Sequence, residues 1–178
     1  MRLFIAISLS EEIKKSLAIL QKRLASSIKN VKWVEPENIH LTLKFLGETD
    51  KVEDIAECCQ KVVEGKPSFY ISLGGVGGFP NLVIPRVIWV GIDQGKDRVS
   101  QIARDLEERL HKIGFPKETR GLKPHLTLAR IKLPKRVPIP DIELKQAKME
   151  VSSIQLIQST LTLKGATYQV VKEFELEG

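Results

Sequence analysis

The sequence predicts an α+β fold in which a strand–helix–strand unit occurs twice about a pseudo-twofold axis, with the helices outside the sheets. Two observations support this prediction. The tetrapeptide His-Leu-Thr-Leu occurs at residues 40–43 and again at 125–128, and a strand pattern followed by an amphipathic helix pattern precedes each copy. Because chance accounts poorly for the whole alignment, we infer a duplicated architecture of long strands with helices between them, which is typical of α+β proteins.

Each predicted unit opens with an apolar strand and continues with one helix. The strand patterns cover residues 3–9 and 87–92, and a shift of 85 positions places residues 3–5 on 88–90. Both helices carry apolar residues at spacings of four, three and four, which predicts one buried stripe each. The stripes are Ile13, Leu17, Leu20 and Leu24, and then Val99, Ala103, Leu106 and Leu110. Their offset is 86, so we expect one extra residue between strand and helix in the second unit.

Capping signals mark the starts of two helices. Ser10 is a favourable N-cap for the first helix because its hydroxyl can accept a backbone N–H bond. Asp50 and Glu53 have the spacing of a capping box, which predicts a helix over about residues 51–64.

Further strands are predicted between and after the repeats. Residues 69–73 have a strand pattern, and the glycine-rich residues 74–80 predict a flexible connection. Residues 149–163 and 167–174 predict two long strands joined by a turn.

Composition limits the partners and the compartment. A net charge of +6 favours an anionic partner such as RNA or a nucleotide, although only weakly. No apolar run is long enough for a membrane span and no signal-peptide pattern is present, so we expect no membrane contact. Cys58 and Cys59 are adjacent and would point in different directions on a helix, so we expect no disulfide and a cytoplasmic location.

The repeated tetrapeptide predicts a pair of catalytic histidines. Successive side chains of a strand point to opposite faces, so His40 shares a face with Thr42, and His125 with Thr127. One histidine alone is more often a satisfied, partly buried residue, but two equivalent His-x-Thr pairs favour a shared cleft. Imidazole titrates near pH ~6.5, so one histidine can act as general base and the other as general acid. The threonine hydroxyls can donate hydrogen bonds to an anionic oxygen.

Other chemistries have weaker support in the sequence. A zinc site needs three or four ligands, and no HExxH, DxD or Cys/His cluster appears, although Glu48 or Asp50 could join the two histidines at a metal. Neither a Gly-x-Ser-x-Gly elbow nor a phosphate loop is present. The third histidine, His111, lies near the end of a predicted helix and is expected at the surface. We therefore expect no metal and no cofactor.

Two residues that lie five positions after the histidines are ambiguous. Regular alternation places Phe45 and Arg130 on the leucine face, where Phe45 is a core residue. A strand that bulges near Lys44 would instead let Phe45 line the cleft and stack on a base, while Arg130 could reach a phosphate. A basic rim is a further candidate, with ordinary solvated charges as the alternative; it consists of Lys44, Arg120, Lys123, Lys132, Lys135 and Arg136.

The sequence resembles the 2H phosphoesterase superfamily, which is named for two His-x-Thr/Ser motifs. Within it, the chain is similar to the RNA 2′,3′-cyclic phosphodiesterase family once called 2′-5′ RNA ligases. The resemblance rests on both tetrapeptides and on further stretches that match in order along nearly the whole chain; the stretches are residues 2–7, 33–34, 40–47, 85–91, 124–130 and 165–168.

The resemblance implies a single domain over residues 1–178, made of two intertwined lobes, with antiparallel sheets lining a central cleft. It implies metal-independent opening of a terminal 2′,3′-cyclic phosphate, on RNA or a nucleotide, to a 2′-phosphate. His40 would be the proton donor to the departing 3′ oxygen, and His125 the proton acceptor that activates water. The other roles that it implies are phosphate contacts from Thr42, Thr127 and Arg130 and a base stacked on Phe45.

Three alternatives stay open at this point. The same site could join a 2′,3′-cyclic phosphate end to a 5′-hydroxyl, since the reverse reaction passes through the same transition state. The fold could also serve as a non-catalytic RNA- or nucleotide-binding module, or as a phosphodiesterase for a nucleotide-derived metabolite. We expect a monomer without an obligate protein partner.

Overall fold

The computed structural model describes residues 1–133, 135–140, 142 and 147–178. Within these ranges the chain forms nine strands and three α-helices, besides a short 3₁₀ helix at Pro36–Asn38. They are β1 (Arg2–Ser8), α1 (Glu11–Ala25), β2 (Lys32–Trp33), β3 (His40–Glu48), α2 (Val52–Val63), β4 (Phe69–Phe79), β5 (Val87–Ile92), α3 (Lys96–Lys112), β6 (His125–Arg130), β7 (Lys148–Val151), β8 (Ser153–Thr162) and β9 (Gly165–Glu175).

The strands form two antiparallel sheets. The first sheet has the order β3-β1-β8-β9 and the second the order β2-β6-β5-β4-β7. Each sheet therefore combines strands from distant parts of the chain, because the C-terminal hairpin β8–β9 completes the first and β2 joins the second. With three helices and two duplicated halves, the predicted α+β fold is confirmed.

The two halves repeat one unit, which is β1, α1 and β3 in the first half and β5, α3 and β6 in the second. The strand register shows that the expected shift of 85 between β1 and β5 is wrong by two. Ser8 lies opposite His40, while Gly91 lies opposite His125, so the equivalent positions differ by 83. The even error leaves every side chain on its predicted face, which is why alternation alone could not reveal it.

The helices bury their predicted stripes in one large core. All eight stripe residues are buried, from Ile13 to Leu110, and α3 packs on β3 while α2 packs on β8 and β9. The other face of the first sheet carries a second, smaller apolar cluster of Phe4, Ala6 and Ile157. The strand β1 is therefore covered on both faces, and the small cluster lies on the face that also carries His40.

One predicted helix cap is confirmed and the other is wrong. The Ser10 hydroxyl accepts a hydrogen bond from the backbone N–H of Ile13 at 3.2 Å. At α2 the N-cap position is Lys51 and has no side-chain cap, so Asp50 and Glu53 do not form a capping box. Instead, the Thr49 hydroxyl accepts a hydrogen bond from the backbone N–H of Lys51 at 3.1 Å. The helix begins at Val52, one residue later than predicted.

The glycine-rich residues 74–78 form part of β4, so the predicted flexible connection is wrong. Gly77 pairs with Trp89 on β5, and a Cβ atom at residue 77 would overlap the indole ring. Glycine is required there because the ring occupies the space of a side chain. The sequence pattern could not predict this requirement for glycine, because the indole belongs to another strand.

The predicted strand over residues 149–163 is two strands that belong to different sheets. β7 pairs with β4 in the second sheet, and β8 pairs with β1 and β9 in the first. Ser152 lies between them, so the chain crosses from one sheet to the other at a single residue.

Two expectations about the chain as a whole can be compared with the described ranges. None of their helices is long and apolar enough to cross a membrane. Cys58 and Cys59 are both buried and free, as their adjacency predicted.

Candidate active site

The two motif strands approach each other between the sheets. β3 is the edge strand of the first sheet, and β6 lies in the second between β5 and the two-residue edge strand β2. Contacts join β3 to β6, so the two copies of the tetrapeptide lie on neighbouring strands of different sheets. Two motifs that are 85 positions apart in the sequence are therefore close together in the fold.

The alternation predicted for both motifs is present. Leu41 and Leu126 are fully buried, whereas His40 and His125 are each partly exposed. Thr42 and Thr127 are also partly exposed, which places them on the histidine face of their strands.

A β-bulge at the same position of each motif resolves the ambiguity of the fifth residue. In β3, Ile5 pairs with Lys44 and Ala6 with Thr42, so Leu43 is the extra residue. In β6, the ladder skips Leu128 in the same way. The bulge places two buried side chains in succession and returns the next one to the histidine face.

Phe45 and Arg130 are the residues that follow these bulges, and both are exposed. The Phe45 side chain is 65% exposed, and its ring centroid is 6.0 Å from that of Phe4, which in turn packs on His40. Phe45 is therefore not a core residue. The bulge thus returns Phe45 and Arg130 to the exposed face of their strands, which also carries the histidines.

Each imidazole is held by an equivalent hydrogen bond from Nδ1 to a backbone carbonyl two residues earlier in the chain. Nδ1 of His40 lies 3.0 Å from the carbonyl oxygen of Asn38, and Nδ1 of His125 lies 2.6 Å from that of Lys123. A carbonyl oxygen only accepts, so each Nδ1 carries the proton and donates it. In the neutral ring, Nε2 then has the free lone pair, which is the atom that can take or give a proton.

His40 is enclosed by aromatic rings and its charged form is disfavoured. The rings of Phe4 and Tyr168 contact it edge-on, with centroid distances of 5.9 and 5.3 Å. Burial lowers the pKa of His40, the hydrogen bond with Asn38 opposes this, and the positive charge of Lys14 lowers the pKa further. In the free protein, His40 is therefore held toward its neutral form at neutral pH.

His125 has a second and different aromatic setting. The ring centroids of Phe79 and Trp89 lie 5.1 and 6.1 Å from that of His125. The ammonium of Lys123 lies over Trp89, 4.6 Å from the ring centroid, a distance typical of a cation–π contact. Lys123 thus holds His125 through its carbonyl group and covers the neighbouring indole with its side chain.

The predicted basic rim needs one correction. Lys44 is buried, forms an ion pair with Glu107 of α3 and donates to the carbonyl of Pro116 at 2.8 Å, so it is not a rim residue. Lys135 is exposed and donates to the carbonyl of Lys29 at 3.1 Å. The other members of the rim are exposed; they are Arg120, Lys123, Lys132 and Arg136.

Several residues at the site were not singled out from the sequence. Phe4, Phe79, Trp89 and Tyr168 all contact a motif histidine. Their only signal was an aromatic residue on a predicted strand or connection, which is usually a core residue. His111, by contrast, is exposed in the last turn of α3, as expected.

Two His-x-Thr strands, one in each of two antiparallel sheets, are the features of the 2H class of phosphoesterases. Comparison with known proteins gives the family. A family model for LigT-like phosphoesterases matches the chain twice, over residues 7–89 and 90–168, one match for each half. The chain belongs to the LigT-like phosphoesterase family, and the resemblance found in the sequence is confirmed.

Similar proteins match over the full length. An RNA 2′,3′-cyclic phosphodiesterase from Thermotoga maritima is 37% identical, covering 100% of this chain and 97% of the relative. One from Archaeoglobus fulgidus is 38% identical, with coverages of 98% and 100%. Among solved structures, a Thermus thermophilus protein superposes with a TM-score of 0.87 at 32% identity, covering 100% of this chain and 99% of that one. E. coli LigT complexed with 3′-AMP superposes with a TM-score of 0.81 at 25% identity and coverages of 98% and 97%.

Proposed function

We propose that this phosphoesterase hydrolyses the terminal 2′,3′-cyclic phosphate of RNA or of a nucleotide to a 2′-phosphate. The observation that carries the proposal is the matched pair of imidazoles on β3 and β6. Both are held through Nδ1, and both keep Nε2 for proton transfer. The full-length relatives named RNA 2′,3′-cyclic phosphodiesterase support the choice of substrate.

The reaction needs one base and one acid on opposite sides of the phosphorus. Nε2 of His125 takes a proton from water, whose oxygen attacks the phosphorus atom. The bond from phosphorus to the 3′ oxygen breaks, and Nε2 of His40 gives that oxygen its proton. The product has a 2′-phosphate and a 3′-hydroxyl, and each proton transfer contributes roughly 10²–10⁴-fold to the rate.

The remaining site residues have supporting roles. The hydroxyls of Thr42 and Thr127 donate to the non-bridging phosphate oxygens, and the Arg130 guanidinium neutralises their charge. Phe45, which is 65% exposed, offers a free ring on which a base can stack. The two histidines and the two threonines therefore act on the phosphate, while Phe45 acts on the base.

His40 can be the proton donor only if its ring is protonated when the substrate is bound. A proton donor must be charged, yet burial lowers the pKa of His40 in the free protein. A phosphate anion beside the ring raises that pKa again, because an opposite charge favours the protonated form. Substrate binding thus charges the residue that donates the proton.

Metal-free catalysis fits the donor groups at the site. The described residues contain no group of three or more His, Cys, Asp or Glu side chains placed to hold a metal ion. Hydroxyls, a guanidinium and an imidazolium can supply the electrostatic stabilisation instead.

Product analysis tests the proposal directly. The enzyme is incubated in excess EDTA with adenosine 2′,3′-cyclic phosphate and with an RNA that ends in the same group. We expect the 2′-phosphate from both substrates, with full activity in the His111→Ala control. A 3′-phosphate product would contradict the regiochemistry, and activity lost in EDTA and restored by one metal would contradict metal-free catalysis. A joined product in the presence of a 5′-hydroxyl oligonucleotide would favour the reverse reaction.

A further inference from the structure

The bulge in the second motif is held by a buried side chain from the first half. Gln21 of α1 is only 8% exposed, and its Nε2 atom donates to the carbonyl of Leu128 at 3.1 Å. The same amide nitrogen donates to the carbonyl of Val34 at 2.7 Å. Leu128 is the extra residue of the bulge, and its carbonyl also accepts a hydrogen bond from the backbone N–H of Val34 at 2.9 Å, so the amide of Gln21 adds a second bond to the same oxygen. Gln21 thus binds the bulge itself.

The bulge in the first motif is held from the second half. Lys44, the residue after the extra Leu43, extends its side chain to Glu107 of α3. The ammonium also lies 3.8 Å from the Glu118 carboxylate and donates to the carbonyl of Pro116. A lysine with a 4% exposed side chain is rare unless paired, so these contacts keep Lys44 on the buried side of β3.

The two contacts are equivalent in the duplicated architecture. Gln21 and Glu107 differ by 86 positions, which is the offset that relates Ile13 to Val99 along the helix stripes. Each helix therefore uses the same position to reach the motif strand of the other half. The two contacts differ in their chemistry. Gln21 donates an amide N–H to a carbonyl, whereas Glu107 forms an ion pair with Lys44.

We propose that Gln21 and the Lys44–Glu107 pair are positioning residues that fix the two bulges and thereby aim Phe45 and Arg130 at the substrate. Moving a bulge by one residue would turn the following side chain to the opposite face. Lys44 acts through Phe45 on the base, and Gln21 acts through Arg130 on the phosphate. The inference rests on the proposed function.

The experiment compares two substrates in variants of each contact. Adenosine 2′,3′-cyclic phosphate has a base, whereas methyl riboside 2′,3′-cyclic phosphate has none. Lys44→Met should raise KM about 10-fold for the adenosine substrate and leave the base-free one within about twofold, since it removes the buried ammonium that contacts Glu107 and Pro116. Gln21→Met should lower kcat/KM about 10-fold for both substrates, because the phosphate is common to them.

Double-mutant cycles then show through which residue each contact acts. In a Phe45→Ala background, Lys44→Met should have no further effect, whereas in an Arg130→Ala background it should keep its full effect. Gln21→Met should show the reverse dependence. Effects that multiply in both backgrounds, or equal losses on both substrates from Lys44→Met, would overturn the proposal and reduce the contacts to general stability.

Matched controls separate folding from positioning. Lys61→Met removes an exposed lysine that pairs with Glu57, and Gln101→Met removes an exposed glutamine on α3; both should behave as wild type. If Lys44→Met does not fold, Glu107→Gln breaks the same pair while keeping the shape, and it enters the same cycles. If His40→Ala and His125→Ala keep their activity, the proposed function fails; if they are inactive and the cycles are additive, only this inference fails.

Discussion

The two halves of the site share a backbone and differ in what surrounds the histidine. In the first half, His40 lies between Phe4 and Tyr168, and the residue after the bulge is Phe45. In the second half, His125 has Phe79 and Trp89 beside it, a lysine over the indole, and an arginine after the bulge. One half thus exposes an apolar ring beside its histidine motif and the other a positive charge.

This difference teaches how a duplicated scaffold becomes a directional enzyme. The alternation, the bulge and the carbonyl bond to Nδ1 are common to both halves, so they set the geometry of two proton-transfer groups. Under the proposed function, the unmatched positions Phe45 and Arg130 set the orientation of the substrate. A substrate with a base at one end and a phosphate at the other can bind such a site in only one orientation.

The largest expected effect comes from removing either histidine. His40→Ala and His125→Ala should each lower kcat by at least about 10²-fold, and the double variant should lose little more, since the two groups act in one step. Steady-state kinetics on adenosine 2′,3′-cyclic phosphate measures this. A comparable loss in His111→Ala would show that the catalytic pair was chosen wrongly.

Next in size is the contrast between Phe45 and Arg130. Arg130→Ala should lower kcat/KM about 10- to 100-fold on substrates with or without a base, because a charged hydrogen bond to the phosphate is lost. Phe45→Ala should cost about 10-fold, and only when a base is present, because base–aromatic stacking is worth about 1–3 kcal/mol. Equal losses from both variants on a base-free substrate would contradict the proposal that Phe45 acts on the base and Arg130 on the phosphate.

The pH dependence assigns the acid and the base. If His40 is the donor, activity falls as pH rises above its pKa, and the fall in kcat/KM begins below the ordinary value of 6.5 because burial lowers that pKa. The fall in kcat should begin at higher pH, since bound phosphate raises the pKa. In the residual activity, His40→Ala should remove the alkaline limb and His125→Ala the acidic limb; the opposite result would exchange the two roles.

The smallest effect concerns the charges beyond the second motif. If Lys132 and Arg136 contact the RNA backbone, kcat/KM for an oligonucleotide should fall more steeply with salt than for a mononucleotide. Each neutralised phosphate of a single strand contributes a log–log slope of about −0.7. Replacing both residues with Ser should remove the difference, while Lys61→Ser should not. Identical slopes for both substrates in the wild type would favour a metabolite over RNA.

Much of the site could be predicted from local pattern. Strand alternation placed both histidines with their threonines, and the helix stripes named four buried residues in each of α1 and α3, though not Gln21 or Ile102. Periods of two and 3.6 are properties of the backbone itself. Ser10 was predicted as a cap for the same reason, since its contact spans only three residues.

Other predictions failed where a distant residue decided the structure. The glycines of β4 lie in a strand because Trp89 of β5 occupies the space above Gly77. Lys44 is buried because Glu107, 63 positions later, pairs with it. The two strands after residue 147 separate at Ser152 because each pairs with a different sheet.

By itself, the amino-acid sequence determined the repeated unit, the type of each element of that unit and the residues able to move a proton. The tertiary structure alone decided the bulges, the offset between equivalent positions of β1 and β5, the aromatic rings around the histidines and the contacts of Gln21 and Lys44. The physical reason is the separation along the chain between the residues that interact. Periodicity and caps depend on neighbours a few residues away, whereas a bulge or a buried ion pair is stable only when another part of the chain supplies its partner.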